Sequence, residues 1–118
     1  MKVKEALISD YRKEEVKSFI QEKLKQIPVF KEISPGEDVP IDLLEVLIWK
    51  LSDKYGVTMQ YIMPSHQRYG KRYYTCSFKT SDDHKWIGTV SGLSIYEIYA
   101  KGALMLYSYT RKQSKDIQ

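Results

Sequence analysis

Arg68, Lys71, Arg72 and Lys79 place four cations within twelve residues, and Tyr73 stands among them in the run HQRYGKRYY (66–74). Guanidinium and ammonium groups neutralise phosphates, and tyrosine rings stack on unpaired bases. Basic residues interleaved with aromatics are therefore what a nucleic-acid grip would use. The same composition suits a solvated hairpin, in which tyrosine is favoured by strand propensity. Arg68, Lys71, Arg72, Tyr73 and Lys79 form the candidate nucleic-acid-binding set.

The other reactive residue types do not assemble into a site. The two histidines, His66 and His84, and the single cysteine, Cys76, match no zinc-ligand spacing. Asp82 and Asp83 are adjacent, so on an extended chain they point opposite ways and make a poor acid/base pair. Cys76 alternates with Tyr74 and Phe78, which places it on a core-facing strand side as a small buried hydrophobe. The chain has no glycine-rich phosphate loop, no GxSxG and no HExxH motif. These features predict a binding module that is not an enzyme, with no catalytic residue, metal, cofactor or small-molecule substrate.

Charge is unevenly distributed. Residues 1–58 carry a net charge of −1 and residues 59–118 a net charge of +5. This distribution suits an acidic partner such as RNA or DNA at the second half, and equally suits a charge that serves solubility alone. One cysteine permits no intrachain disulfide, which fits a reducing compartment. The charged N-terminus contains no apolar signal core, and no apolar run reaches bilayer-spanning length. A cytoplasmic protein with no membrane association is the expectation.

At 118 residues the chain reads as one domain, 1–118. Apolar residues from Val3 to Ile27 recur at helical spacing, predicting an N-terminal helix within 1–28 that Pro28 ends; Ser9 or Asp10 offers a later start. Pro35-Gly36 marks a connector. Leu43, Leu44, Leu47, Ile48, Leu51 and Tyr55 predict a core helix from Ile41 that stops at Gly56. Three strands follow, at 57–63, 71–79 and 85–92, with a loop after Pro64 and a turn at 80–84. Ser94 and Glu97 have capping-box spacing at the start of a last helix. That helix is apolar nearly all round, with a thin polar stripe of Glu97, Lys101 and Ser108. It must be sandwiched between the sheet and the N-terminal helix, or turn part of its surface to a partner. The fold class is α+β, ordered α-α-β-β-β-α, with a three-stranded antiparallel sheet packed on helices.

From Ile41 to about residue 112, this order resembles the α-β-β-β-α core of double-stranded RNA-binding domains. GTVSGLS (88–94) resembles the family's glycine-containing turn into a serine-started helix, and PSHQRYGKRYY (64–74) stands where the family has its glycine- and histidine-bearing loop. The resemblance implies RNA binding. The family's last helix, however, opens with a basic cluster, and here Ile95, Tyr96 and Tyr99 replace its three lysines. His66 also precedes Gly70 rather than following it. Duplex RNA is held largely through phosphate and 2′-hydroxyl contacts, so this substitution removes the usual grip. Some members of the family use the fold for protein contacts, and Ile95, Tyr96 and Tyr99 suit that use. Two readings follow. One is a small regulatory binding protein acting on nucleic acid or a nucleic-acid-handling complex. The other is an adaptor, inhibitor or dimerisation module, with Ile95, Tyr96 and Tyr99 as its protein or homodimer interface.

Overall fold

The computed structural model describes the backbone of residues 1–60, 63–68 and 71–117, and the side chains of residues 1–60 and 73–113. Among the described residues, four α-helices and four strands follow in the order α1 (Val3–Ile8), α2 (Glu14–Lys25), α3 (Ile41–Tyr55), β1 (Val57–Met59), β2 (Met63–Arg68), β3 (Lys71–Thr80), β4 (Trp86–Gly92) and α4 (Ile95–Ile117). The fold is α+β.

The N-terminal segment is two helices rather than one. Ser9 Oγ bonds back to the Glu5 carbonyl at 2.6 Å, and Asp10 accepts from the Arg12 backbone N–H at 2.9 Å. Short polar side chains that bond locally compete with the helical ladder, and two in succession break it. The break turns Tyr11 into the core. It also leaves the Ser9 carbonyl free to accept a bond from elsewhere.

Gly56 ends α3 with φ 63° and ψ 47°, the left-handed conformation that glycine adopts without a Cβ penalty. β1 and β2 then lie end to end along one side of β3, with β4 along the other. Every pairing is antiparallel, and the sheet is three strands wide. Met59 is opposite Phe78, and Met63 is opposite Thr75. Strand pairing continues past Pro64 to the Arg68–Lys71 pair, where a loop was expected. Among the described residues β2 pairs with β3 alone, and an edge strand tolerates proline because one side needs no backbone donor.

The inner sheet face carries Cys76, Phe78 and Val90, all buried, and packs on α3 and α4. Gly88, Gly92 and Gly102 permit this close approach. A Cβ on Gly88 would strike the Met105 sulfur, one on Gly92 would lie 2.5 Å from the Glu97 carboxyl carbon, and one on Gly102 would lie 3.2 Å from the Phe78 ring. α4 is held among the sheet, α3 and α2, which accounts for its nearly continuous apolar surface. Ile98, Ala100, Ala103, Leu104 and Leu106 are all buried.

Two residues of the α4 polar stripe, Glu97 and Lys101, are buried, and the third, Ser108, is exposed. Glu97 and Lys101 form an ion pair at 2.7 Å, with side chains 7% and 3% exposed. Lys101 Nζ also donates to the carbonyls of Ser9 (3.0 Å) and Ser91 (3.4 Å), while Glu97 accepts from the Leu93 N–H at 3.2 Å. One buried pair therefore ties the α1–α2 break, the end of β4 and α4 together. A second polar hub lies on Gln21. Its amide donates to the hydroxyls of Tyr11 and Tyr96, each at 2.8 Å, and its carbonyl accepts from the Val39 N–H at 3.0 Å.

Candidate nucleic-acid interface

Alternation along β3 puts Tyr73, Thr75, Ser77 and Lys79 on the outer sheet face, opposite the core-facing Cys76 and Phe78. β4 adds Thr89 and Ser91, and β1 adds Thr58. The surface is rich in hydroxyls, and its strands are linked by a Ser77–Thr89 bond at 2.8 Å.

A bulge decides what sits at the far end. Phe78 is opposite Gly88, but Lys79 is opposite Trp86, so Ile87 is the extra residue on β4. Simple alternation from Val90 and Gly88 would send Trp86 to the core. The bulge instead turns Ile87 inward, where it packs on the core, and presents Trp86 outward at 61% exposure. The indole N–H donates to Thr89 Oγ1 at 3.0 Å, which tethers the ring to the outer face. Lys79 therefore lies between Thr58 on one side and an exposed tryptophan on the other.

Tyr73 and Lys79 thus share this face, six residues apart on one strand, about 20 Å at the ordinary strand rise. Arg68, Lys71 and Arg72 belong to the same hairpin by backbone register, and their side chains lie outside the described residues, as do Tyr69 and Gly70. At the Tyr73 end, a cleft of about 230 Å³ is lined by Asp10, Arg12, Tyr73, Ser91, Glu97 and Lys101 among others. Arg12 is an exposed cation paired with Asp10 at 2.8 Å, and its guanidinium holds the Asp10 carboxyl down at about 2. Lys101 spends its charge on Glu97. Arg12 and Trp86 extend the predicted set. Neither was legible as a site residue, because Arg12 arrives through the α1–α2 break and Trp86 through the bulge.

No protein-family model matches the chain, and no curated protein or solved structure matches it either.

The three residues expected at a protein interface are placed differently from one another. Ile95 is 44% exposed. Tyr96 is half-buried, and its hydroxyl donates to the Val39 carbonyl at 2.6 Å while accepting from Gln21. Burial raises the Tyr96 phenol pKa. Tyr99 is half-buried against the core, and burial together with nearby Glu45 raises its pKa. Cys76 is buried and donates to the Gln60 carbonyl at 3.3 Å, with its thiol pushed up to about 11 by desolvation. A thiol so held is not an activated nucleophile. His84 occupies the β3–β4 turn at φ 52°, a left-handed conformation suited to a tight reversal. Among the described residues, no three His, Cys, Asp or Glu side chains gather as metal ligands, and no helix is long and apolar enough to cross a membrane.

Proposed function

We propose that this chain is a small, non-catalytic regulatory protein with a fold like that of double-stranded RNA-binding domains, which binds single-stranded nucleic acid on the outer face of its sheet. The family likeness is supported by the order α3, three sheet ranks, α4, with both helices on one sheet face. The observation that carries the binding reading is the pairing of Lys79 with the exposed, tethered Trp86. An ammonium beside an exposed indole offers a phosphate contact and a stacking platform together. Tyr73 supplies a second ring farther along β3, and the intervening hydroxyls of Thr75, Ser77, Thr89 and Ser91 suit sugar and phosphate oxygens. Single strands are favoured over duplexes because stacking needs unpaired bases, and because Ile95, Tyr96 and Tyr99 occupy the positions of the cations that grip a duplex. A cytoplasmic location goes with this reading.

The experiment is a fluorescence-anisotropy titration of labelled single-stranded and duplex oligonucleotides at two salt concentrations. Binding of the single strand that weakens with salt, and that Trp86→Ala weakens by roughly 5–150-fold, is expected. Equal affinity of wild type and Trp86→Ala would remove the sheet face from the account.

A further inference from the structure

α3 carries two apolar faces. Leu44, Leu47 and Ile48 are buried in the core. Leu43, Val46 and Trp49 run along another side at three-residue spacing and are 41%, 46% and 61% exposed. At 100° per residue this stripe lies on the side of α3 turned away from the core. A surface helix ordinarily keeps its outer side polar.

The residues around this stripe are symmetric about Val46. Leu43 and Trp49 lie three residues on either side of it, and Asp42 and Lys50 four residues on either side. Consider two α3 helices packed antiparallel across a two-fold axis at Val46. Leu43 then meets Trp49 of the second copy, Val46 meets its own equivalent, and Asp42 meets Lys50 of the second copy. Such a contact is self-complementary, as an isologous interface requires. Both charges are exposed and, among the described residues, neither is in an intramolecular ion pair. Asp53 would also lie over the N-terminus of the opposing α3, where the helix dipole favours an anion.

We propose that this face of α3 is a homodimer interface, occupied by α3 of a second copy of this chain in antiparallel register about Val46. The contact rests on a few residues of one helix, against roughly 20–30 residues a side in a standard interface, so the dimer is a weak, concentration-dependent one. It leaves the outer sheet face uncovered, because α3 packs on the inner face. The dimer would therefore present two copies of that face, whatever each one binds.

Sedimentation-velocity runs on the full chain over a wide concentration range test this. A monomer–dimer equilibrium is expected in the wild type. Val46→Arg sets like charges against each other at the axis and is expected to raise the dissociation constant by ~100-fold or more. Asp42→Lys and Lys50→Asp are each expected to weaken the dimer, and the double exchange to restore it. In a Trp86→Phe background, emission from Trp49 should shift to shorter wavelength as the concentration rises. All substituted positions are exposed, and circular dichroism confirms that each variant folds. A monomer at every concentration overturns the proposal, including the case in which a different protein covers the stripe. A dimer indifferent to Val46→Arg, or one that the double charge exchange does not restore, overturns it as well.

Discussion

Replacing Lys101 with methionine removes one half of the most deeply buried charge pair among the described residues. The consequence follows from what Lys101 Nζ holds: the Glu97 carboxylate at 2.7 Å, the Ser9 carbonyl at 3.0 Å and the Ser91 carbonyl at 3.4 Å. Methionine fills much of the lysine stem's volume, so cavity formation is a minor term. What remains is a carboxylate, 7% exposed, that still accepts from the Leu93 N–H at 3.2 Å, and two carbonyls that have lost a partner. Removing one member of a buried ion pair costs about 3–5 kcal/mol. A chain of this size has a total stability of roughly 6–18 kcal/mol, so the loss is a large fraction of the whole. In urea, where m is about 1–3 kcal/mol/M, the midpoint should fall by about 1 M or more. Glu97→Gln with Lys101→Met removes both charges while keeping an acceptor for Leu93, and should recover most of the loss. Equilibrium urea unfolding followed by circular dichroism measures all four proteins of the cycle. A loss below about 1 kcal/mol, the range of an exposed pair, would refute the assignment of this pair as the clamp between α1, β4 and α4. So would a double variant no more stable than Lys101→Met.

Other outcomes follow from the same geometry. Gly92→Ala would drive a Cβ against Glu97, whose carboxyl is fixed by Lys101, and should cost about 1–3 kcal/mol in urea unfolding. The Cys76 thiol is raised from 9.0 to about 11 by burial, so between these pH values the unfolded chain loses a proton that the folded chain keeps. The stability contributed by the neutral thiol is complete below about pH 9 and is lost as pH rises towards 11. Wild type should therefore lose about 2–3 kcal/mol more than Cys76→Ala between pH 8 and 11, and parallel urea midpoints would contradict this. Asp82 and Asp83 lie in the turn beside the Lys79–Trp86 pair, so Asp82→Asn with Asp83→Asn should tighten oligonucleotide binding about 2–10-fold at low salt and less at high salt, as read by anisotropy.

Several elements were legible in the sequence for physical reasons that the structure bears out. The stop of α3 at Gly56 came from a residue free to take positive φ. The core side of β3 came from strict alternation of Tyr74, Cys76 and Phe78. The start of α4 came from Ser94, whose hydroxyl accepts from the Glu97 N–H at 3.1 Å. Other features depend on relations that periodicity does not encode. Glu97 and Lys101 read only as part of a polar stripe, because an i,i+4 charge pair looks the same whether it faces water or core. The N-terminal pattern continued through Ser9–Asp10 because apolar spacing does not register side chains that bond their own backbone. Pro64 read as a strand end because its tolerance at an edge depends on which strands pair. Trp86 was passed over because a single extra residue, Ile87, decides which face it occupies.

The indole of Trp86 can itself report on binding at the face it shares with Lys79. The chain has two tryptophans, Trp49 and Trp86, so a Trp49→Phe variant leaves Trp86 as the sole tryptophan, which is excited selectively over the tyrosines at long wavelength. Titration of that variant with a single-stranded oligonucleotide at low salt should quench Trp86 emission in step with the anisotropy of the labelled strand, and added salt should reverse both. Anisotropy that rises while Trp86 emission stays unchanged would place any binding elsewhere on the molecule. No change in either signal would contradict nucleic-acid binding altogether.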